Sequence, residues 1–106
     1  MKGLGNITQL MKQAKDMQAR MAQIQEELEK RQYEASSGGG MVVATVNGRQ
    51  ELLALRIERE VVNPEDIGML QDLIISAVNQ ALRNSRDSAV EEMSKITGGM
   101  SLPGMF

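Results

Sequence analysis

Hydrophobic residues recur along the first third of the chain at alternating steps of three and four residues. This spacing is typical of a helix that packs along another helix through one narrow stripe. We call the stripe the helix 1 seam, and its main members are Leu10, Ala14, Met17, Met21, Ile24 and Leu28. Asn6, with Gln9 three residues later, matches the capping box that opens a helix. The pattern therefore predicts a helix over residues 7–31 with Asn6 as its N-cap.

A small antiparallel sheet is predicted between the two helical patterns. The segment QYEASS, residues 32–37, alternates weakly and predicts a short edge strand that ends at three successive glycines. Two apolar runs then flank Asn47-Gly48, a pair that favours a type I′ turn because both central residues take a positive φ. A two-residue turn there pairs Val46 with Arg49 and puts apolar side chains on both faces of the hairpin. Each face of the hairpin must therefore pack against another part of the protein or against a second chain.

A second long helix is predicted after Asn63-Pro64, because Asn is a favoured N-cap and Pro a favoured first helical residue. Its apolar stripe consists of Ile67, Leu70, Leu73, Ile74, Ala77, Val78, Ala81 and Leu82. A stripe of this width is typical of a helix that is buried on one side. From Arg83 onward charges interrupt the pattern, and the glycines at 98–99 predict the end of the helix.

The chain of 106 residues fits a single domain, residues 1–106, in which residues 97–106 are predicted to be a flexible tail. A helix over residues 7–31 is about 38 Å long, whereas a compact domain of this size is roughly 33 Å across. At least one helix must therefore extend beyond the compact part of the domain. The helix 1 seam then packs on helix 2 of the same chain, on a second copy of the chain, or on another protein. The predicted fold class is α+β: a long N-terminal helix, a small antiparallel sheet made of the hairpin and a short third strand, and a long second helix. We expect an intertwined homodimer with projecting helices.

Composition excludes several kinds of chemistry. The chain has no cysteine and no histidine, so thiolate chemistry and histidine-dependent catalysis are absent. Its serines lack an activating histidine, and its acidic clusters lack the ligands that transition metals favour. We therefore predict no enzyme activity, no cofactor and no metal site. No apolar run approaches the roughly 18 residues of a membrane span, so we expect a cytoplasmic protein with no membrane partner.

Charge is unevenly distributed, although the net charge is only −2. Residues 1–20 contain four basic residues against one acidic residue. At about 100° per residue, Lys12 lies opposite the seam, with Lys15 and Arg20 on its two flanks. A basic helix face of this kind can neutralise DNA phosphates. The chain has only one tyrosine and one phenylalanine, so we expect any nucleic-acid binding to use the duplex backbone rather than base stacking.

Four segments closely resemble the YbaB/EbfC family of bacterial nucleoid-associated proteins. They are LMKQAKDMQARMAQIQEEL in helix 1, GGGMVVATVNGRQEL in the hairpin, MLQDLIISAVNQALRNS in helix 2 and ITGGMSLPGMF at the end. The resemblance implies a homodimer in the nucleoid whose helices project like the arms of tweezers, bind duplex DNA and alter its conformation. It also implies roles in gene regulation, nucleoid organisation and DNA protection. Because the DNA contacts of the family are attributed to the helical arms, the resemblance points to Lys12, Lys15, Arg20, Arg83 and Arg86.

A different class of function is compatible with the same pattern. In a protein-interaction adaptor, the seam or the apolar C-terminal tail would dock on another protein, and DNA contact would be incidental. The two hypotheses differ in whether the partners of the protein survive nuclease treatment.

Overall fold

The computed structural model describes residues 2–96 of the chain. The elements are helix α1 (Lys2–Lys30), strands β1 (Gln32–Ser37), β2 (Val42–Asn47) and β3 (Leu52–Ile57), a 3-10 turn (Arg59–Val61) and helix α2 (Ile67–Ile96). The three strands form one antiparallel sheet in the order β1-β2-β3. The predicted α+β fold, including the short third strand, is confirmed. The predicted tail and the predicted helix stop at 98–99 lie outside the described residues.

The molecule is strongly elongated, with principal extents of 79 × 25 × 16 Å. Its radius of gyration is 21.0 Å, whereas a compact chain of this length has a value near 13 Å. Both helices are longer than a compact domain of this size is wide, and the 29 residues of α1 form a rod about 44 Å long. Only the C-terminal end of this rod packs against β2 and α2. The fold therefore consists of a body, made of the sheet and α2, and a projecting arm, made of α1.

The core lies between the central strand and α2. Val42, Ala44 and Val46 alternate along β2 and are fully buried on one face. Ala77 and Ala81 of α2 are also fully buried in the same cluster, and their small side chains let the helix backbone approach the sheet closely. The surrounding, partly buried side chains are Tyr33, Ala35, Met41, Ile57, Leu70, Leu73, Ile74, Val78 and Leu82. The predicted apolar stripe of helix 2 packs on the sheet as expected, except at Ile67, which is 47% exposed.

The predicted register of the hairpin is wrong. Val46 pairs with Leu52 rather than with Arg49, and a bulge between Thr45 and Val46 shifts the register of the remaining pairs. Residues 48–51 thus form a longer loop between β2 and β3. The two-residue turn expected from the Asn-Gly pair does not form.

The Asn47 side chain explains the longer loop. Its Oδ1 accepts hydrogen bonds from the backbone N–H groups of Arg49 and Glu51, at 2.9 and 3.1 Å. Its Nδ2 donates to the carboxylate of Glu51 at 2.9 Å. Gln50 takes the left-handed conformation (φ 66°) that closes the loop. These local bonds replace the backbone pattern of a type I′ turn.

The boundaries of both helices differ from the predictions. Helix α1 already begins at Lys2, so Asn6 lies inside the helix and is not its N-cap. Helix α2 begins at Ile67 rather than at Pro64, because Asp66 is its N-cap: the Asp66 Oδ1 accepts from the Met69 N–H at 3.2 Å. Asn63 instead caps the preceding turn, where its Oδ1 accepts from the Glu65 N–H at 3.0 Å.

Candidate nucleic-acid interface

The seam of α1 is largely uncovered in the single chain. Leu10 is 63% exposed and Met17 is 49% exposed, whereas Leu28 is 5% exposed. Ala14 and Met21 are also exposed, and Ile24 is half-buried. Packing of the seam along helix 2 of the same chain, one of the alternatives left open by the sequence, is therefore not observed over the outer part of the arm.

The basic residues predicted on α1 lie on this uncovered arm. Lys12, Lys15 and Arg20 are all exposed, and about 12 Å of helix axis separates the first from the last. Lys12 projects from the side opposite the seam. Asp16 is the only acidic residue between positions 5 and 23. The outer arm thus presents a positive face to solvent.

Ion pairs are concentrated at the base of the arm and in the body. Those between described residues join Lys30 to Glu26, Arg31 to Glu92, Arg49 to Glu29 and Lys95 to Glu92. None of them uses a residue predicted to bind DNA. Acidic residues therefore pair with four basic side chains at the base of the arm and in the body, whereas Lys12, Lys15 and Arg20 of the outer arm take part in none of these pairs.

Arg83 and Arg86 occupy a different element from the other three predicted residues. Both are exposed on α2. Arg83 lies two positions from each of the buried residues Ala81 and Ser85, so it projects away from the sheet. The Arg83 Nη1 donates a hydrogen bond to the Gln80 Oε1 at 3.1 Å. The fold thus brings together the three helix 1 residues on one rod and holds the two arginines on the outer side of the body.

Two further basic side chains were missed by the sequence analysis. Arg56 and Arg59 are exposed and belong to none of the ion pairs between described residues. Arg56 lies opposite Val43, on the sheet face away from α2. The alternation of Leu55, Arg56 and Ile57 already indicated that Arg56 lies on the opposite face from its two apolar neighbours.

A charged cluster ties the base of the arm to α2. The Arg31 Nη1 and the Lys95 Nζ lie 3.4 and 3.5 Å from the same Glu92 Oε1. The charge of Lys95 is the main cause that lowers the pKa of the Glu92 carboxyl below its ordinary value of 4.5. Desolvation opposes this effect, and the hydrogen bond from Arg31 adds to it. Glu92 is therefore held in its charged form.

Strand β3 and the outer side of α2 expose additional apolar surface. Helix α2 packs on β1 and β2 and leaves most of β3 uncovered. Leu52 and Leu53 are each 48% exposed, and Ile75 of α2 is 56% exposed. Exposed apolar side chains on an edge strand and a neighbouring helix are typical of a surface that another chain covers.

The described residues contain no group of three or more side chains of the types that bind a metal ion. Within the same part of the chain, no helix is long and apolar enough to cross a membrane. The most prominent features for function are therefore the positive arm and the exposed apolar faces.

Comparisons with known proteins agree with this arrangement. The family model of the YbaB/EbfC DNA-binding family matches residues 2–100. A nucleoid-associated protein of Syntrophobacter fumaroxidans is 56% identical over 90% of this chain and 86% of its own length. A nucleoid-associated protein of Moorella thermoacetica is 54% identical over 96% of this chain and 98% of its own.

A solved structure shares the fold as well. The uncharacterized protein HP0035 from Helicobacter pylori superposes with a TM-score of 0.71 at 26% identity, over 85% of this chain and 95% of its own. The order of elements, the projecting helix and the match over nearly the whole length all point to the same group of proteins. The chain belongs to the YbaB/EbfC DNA-binding family.

Proposed function

We propose that this protein binds duplex DNA in the bacterial nucleoid, within the cytoplasm, as a homodimer whose α1 arms grip the phosphate backbone and alter the conformation of the DNA. The family and the names of the relatives support a nucleoid-associated, DNA-binding role. The observation that carries the proposal is the arm itself. It projects from the body and bears Lys12, Lys15 and Arg20 without a partner in any of the ion pairs described above.

Recognition of the backbone rather than of base sequence fits the side chains on the arm. Lysine and arginine neutralise phosphates and release counterions, which gives affinity with little sequence preference. The chain has only one tyrosine and one phenylalanine, too few to stack on successive bases. Gene regulation, nucleoid organisation and DNA protection would then follow from the shape that the protein imposes on DNA.

Formation of a homodimer is supported by the apolar surface that one chain leaves open. The outer seam of α1 and the exposed leucines of β3 are both available to a second copy. A twofold axis would apply the same contact twice and bring two basic arms to one duplex. The dimer would then carry six positive charges on its two α1 helices, three from each chain. The slope of log affinity against log salt concentration would be about −5.

A catalytic role is not part of the proposal. The family that matches is a DNA-binding family. The chain also lacks histidine and cysteine, the side chains that most often serve as a general base or nucleophile at neutral pH.

A mobility-shift titration with random-sequence duplex DNA over a range of salt concentrations tests the proposal. We expect binding that weakens steeply as salt rises, and affinity independent of salt would contradict phosphate contact. Matched double variants locate the contact: Lys12→Ala with Lys15→Ala on the arm, and Lys30→Ala with Lys95→Ala at ion-paired positions. Only the first pair should weaken binding.

The uncovered seam also favours a second candidate, a protein-interaction adaptor whose α1 docks on another protein. This function predicts that a stoichiometric partner stays bound after nuclease treatment. Loss of every partner on nuclease treatment would count against it and leave DNA binding as the function.

A further inference from the structure

The loop between β2 and β3, residues 47–51, contacts both helices of the protein. On one side, Gly48 packs directly on the last turn of α1, against Leu28 and Glu29. On the other side, the Gln50 Nε2 donates to the Ser85 Oγ of α2 at 2.8 Å. We call residues 47–51 the junction loop, because it is where the arm, the sheet and α2 meet.

Position 48 requires glycine because the backbone of α1 passes close to it, and not because of its φ angle. A Cβ atom built at this position overlaps the carbonyl oxygen of Leu28 and lies 2.9 Å from the Cα of Glu29. Both neighbours are backbone atoms of a helix, so neither can rotate away as a flexible side chain would. Any larger residue at position 48 must therefore displace the loop or the end of α1.

The α2 side of the junction loop is firmly held. Ser85 is 1% exposed, and its hydroxyl donates to the carbonyl oxygen of Asn47 at 3.1 Å while it accepts from Gln50. Asn47 also fixes the loop internally through its bonds to the backbone of Arg49 and Glu51. A group added at Gly48 therefore pushes against a loop that is anchored to the body, and the arm is the element that has room to move.

Two ion pairs brace the base of the arm on different elements. Arg49 of the junction loop reaches Glu29, with its Nε 3.4 Å from the Oε2, and Arg31 reaches Glu92 of α2 at 3.4 Å. Leu28 is the one buried side chain of α1 among residues 5–30. All of these contacts lie in the last turn of α1 or just after it, so a small change there reorients a rod about 44 Å long.

We propose that the junction loop sets the direction in which α1 leaves the body, with Gly48 as the positioning residue, and so sets the spacing at which the basic arms meet DNA. The consequence for DNA rests on the function proposed above. The inference about the direction of the arm is independent of that function, because the direction can be measured without DNA.

The effect is amplified along the rod. Residue 18 lies twelve residues from Lys30, so each 10° of reorientation moves it by about 3 Å. A change of this size is measurable as a distance between two spin labels. The chain has no native cysteine, so labels can be attached at chosen positions alone.

The test compares label distances in the full chain with and without Gly48→Ala. Labels are placed through Gln18→Cys on the arm and Asn79→Cys on α2, both exposed positions. Labelled chains are diluted with excess unlabelled chain, so that only distances within one chain contribute. The matched control is Gly68→Ala in α2, where an added Cβ meets nothing within 4 Å.

We expect Gly48→Ala to shift the mean distance by about 3 Å or more or to broaden its distribution, and Gly68→Ala to leave it unchanged. An unchanged distribution in folded Gly48→Ala protein would overturn the inference. If Gly48→Ala does not fold, charge reversal at the neighbouring ion pair replaces it. Glu29→Arg should broaden the distribution, and Glu29→Arg with Arg49→Glu should restore it. No change in either variant would also overturn the inference.

DNA titration separates this inference from the proposed function. Gly48→Ala keeps every basic side chain, and we expect it to bind duplex DNA about fivefold more weakly because the arms are no longer preorganised. A displaced arm with unchanged affinity would overturn the link to DNA. Wild-type protein that binds no DNA would refute the proposed function, while the label distances still decide the direction of the arm.

Discussion

Arg31 and Glu92, sixty-one positions apart in sequence, form an ion pair at 3.4 Å that joins the base of the α1 arm to the second half of α2. Lys95 approaches the same carboxylate oxygen at 3.5 Å. One acidic side chain thus holds two cations from different elements. Its protonation should therefore loosen the contact between arm and body.

The first prediction concerns pH. The pKa of Glu92 is lowered in the folded protein, so its contribution to stability is present above the ordinary value of 4.5 and is lost as pH falls through the lower, folded value. Glu92→Gln should therefore lower the melting temperature at neutral pH and have little effect in the acid range below the folded pKa. Thermal unfolding of both proteins across this range measures the difference. A constant difference at every pH would contradict the prediction.

The second prediction concerns the phosphate contacts. Removing Lys12, Lys15 and Arg20 together by alanine substitution should weaken DNA binding and flatten its salt dependence. If these residues supply most of the contacts of a dimer, the slope of log affinity against log salt falls from about −5 towards zero. Mobility-shift titrations at several salt concentrations measure both quantities. A steep slope that persists in the triple variant would assign the contacts to other residues, with Arg83 and Arg86 the next to substitute.

The third prediction concerns the dimer. Met17 lies in the seam and Met11 lies outside it, yet both are about half exposed in the single chain, at 49% and 58%. Met17→Gln should raise the dissociation constant of the dimer about tenfold or more, because a buried methionine contributes about 1.5–3 kcal/mol. Met11→Gln makes the same substitution outside the seam, and as the control it should change the dissociation constant little. Sedimentation equilibrium at low protein concentration distinguishes them, and equal effects would exclude the seam as the interface.

The fourth prediction concerns the core. Ala81 is fully buried between α2 and the sheet, so Ala81→Leu should force the two apart and reduce the free energy of unfolding by about 1–3 kcal/mol. Ala22→Leu, on the exposed arm, adds the same atoms and should have little effect. Chemical denaturation measures both variants. Equal stability of the two would show that the space above β2 can accommodate a larger side chain.

Long-range periodicity was a good guide to the elements of this fold. The spacing of the seam and the wide stripe of α2 predicted both helices, and the two apolar runs predicted the hairpin strands, because each pattern repeats over many residues. Local signals were less reliable. Asn47 bonds to the backbone of its own loop and lengthens the turn, and Asp66 displaces Asn63 as the N-cap of α2.

The features that place the arm were out of reach of sequence reasoning. Gly48 appeared as a turn glycine, whereas it is needed because the end of α1 passes directly beside it. That contact joins segments about twenty residues apart and has no periodic signature. Whether the seam is covered was equally undetermined, since the same spacing serves packing within a chain and between chains.

The solvent exposure of residues 5–23 has a consequence for how the arm behaves over time. A single helix that lacks tertiary packing opens by brief local fraying, so its amide hydrogens should exchange with deuterium far sooner than those of β2. A second copy or a DNA duplex laid along the rod would slow that exchange. Deuterium uptake along the arm therefore measures how much of α1 is covered by a second copy or by DNA.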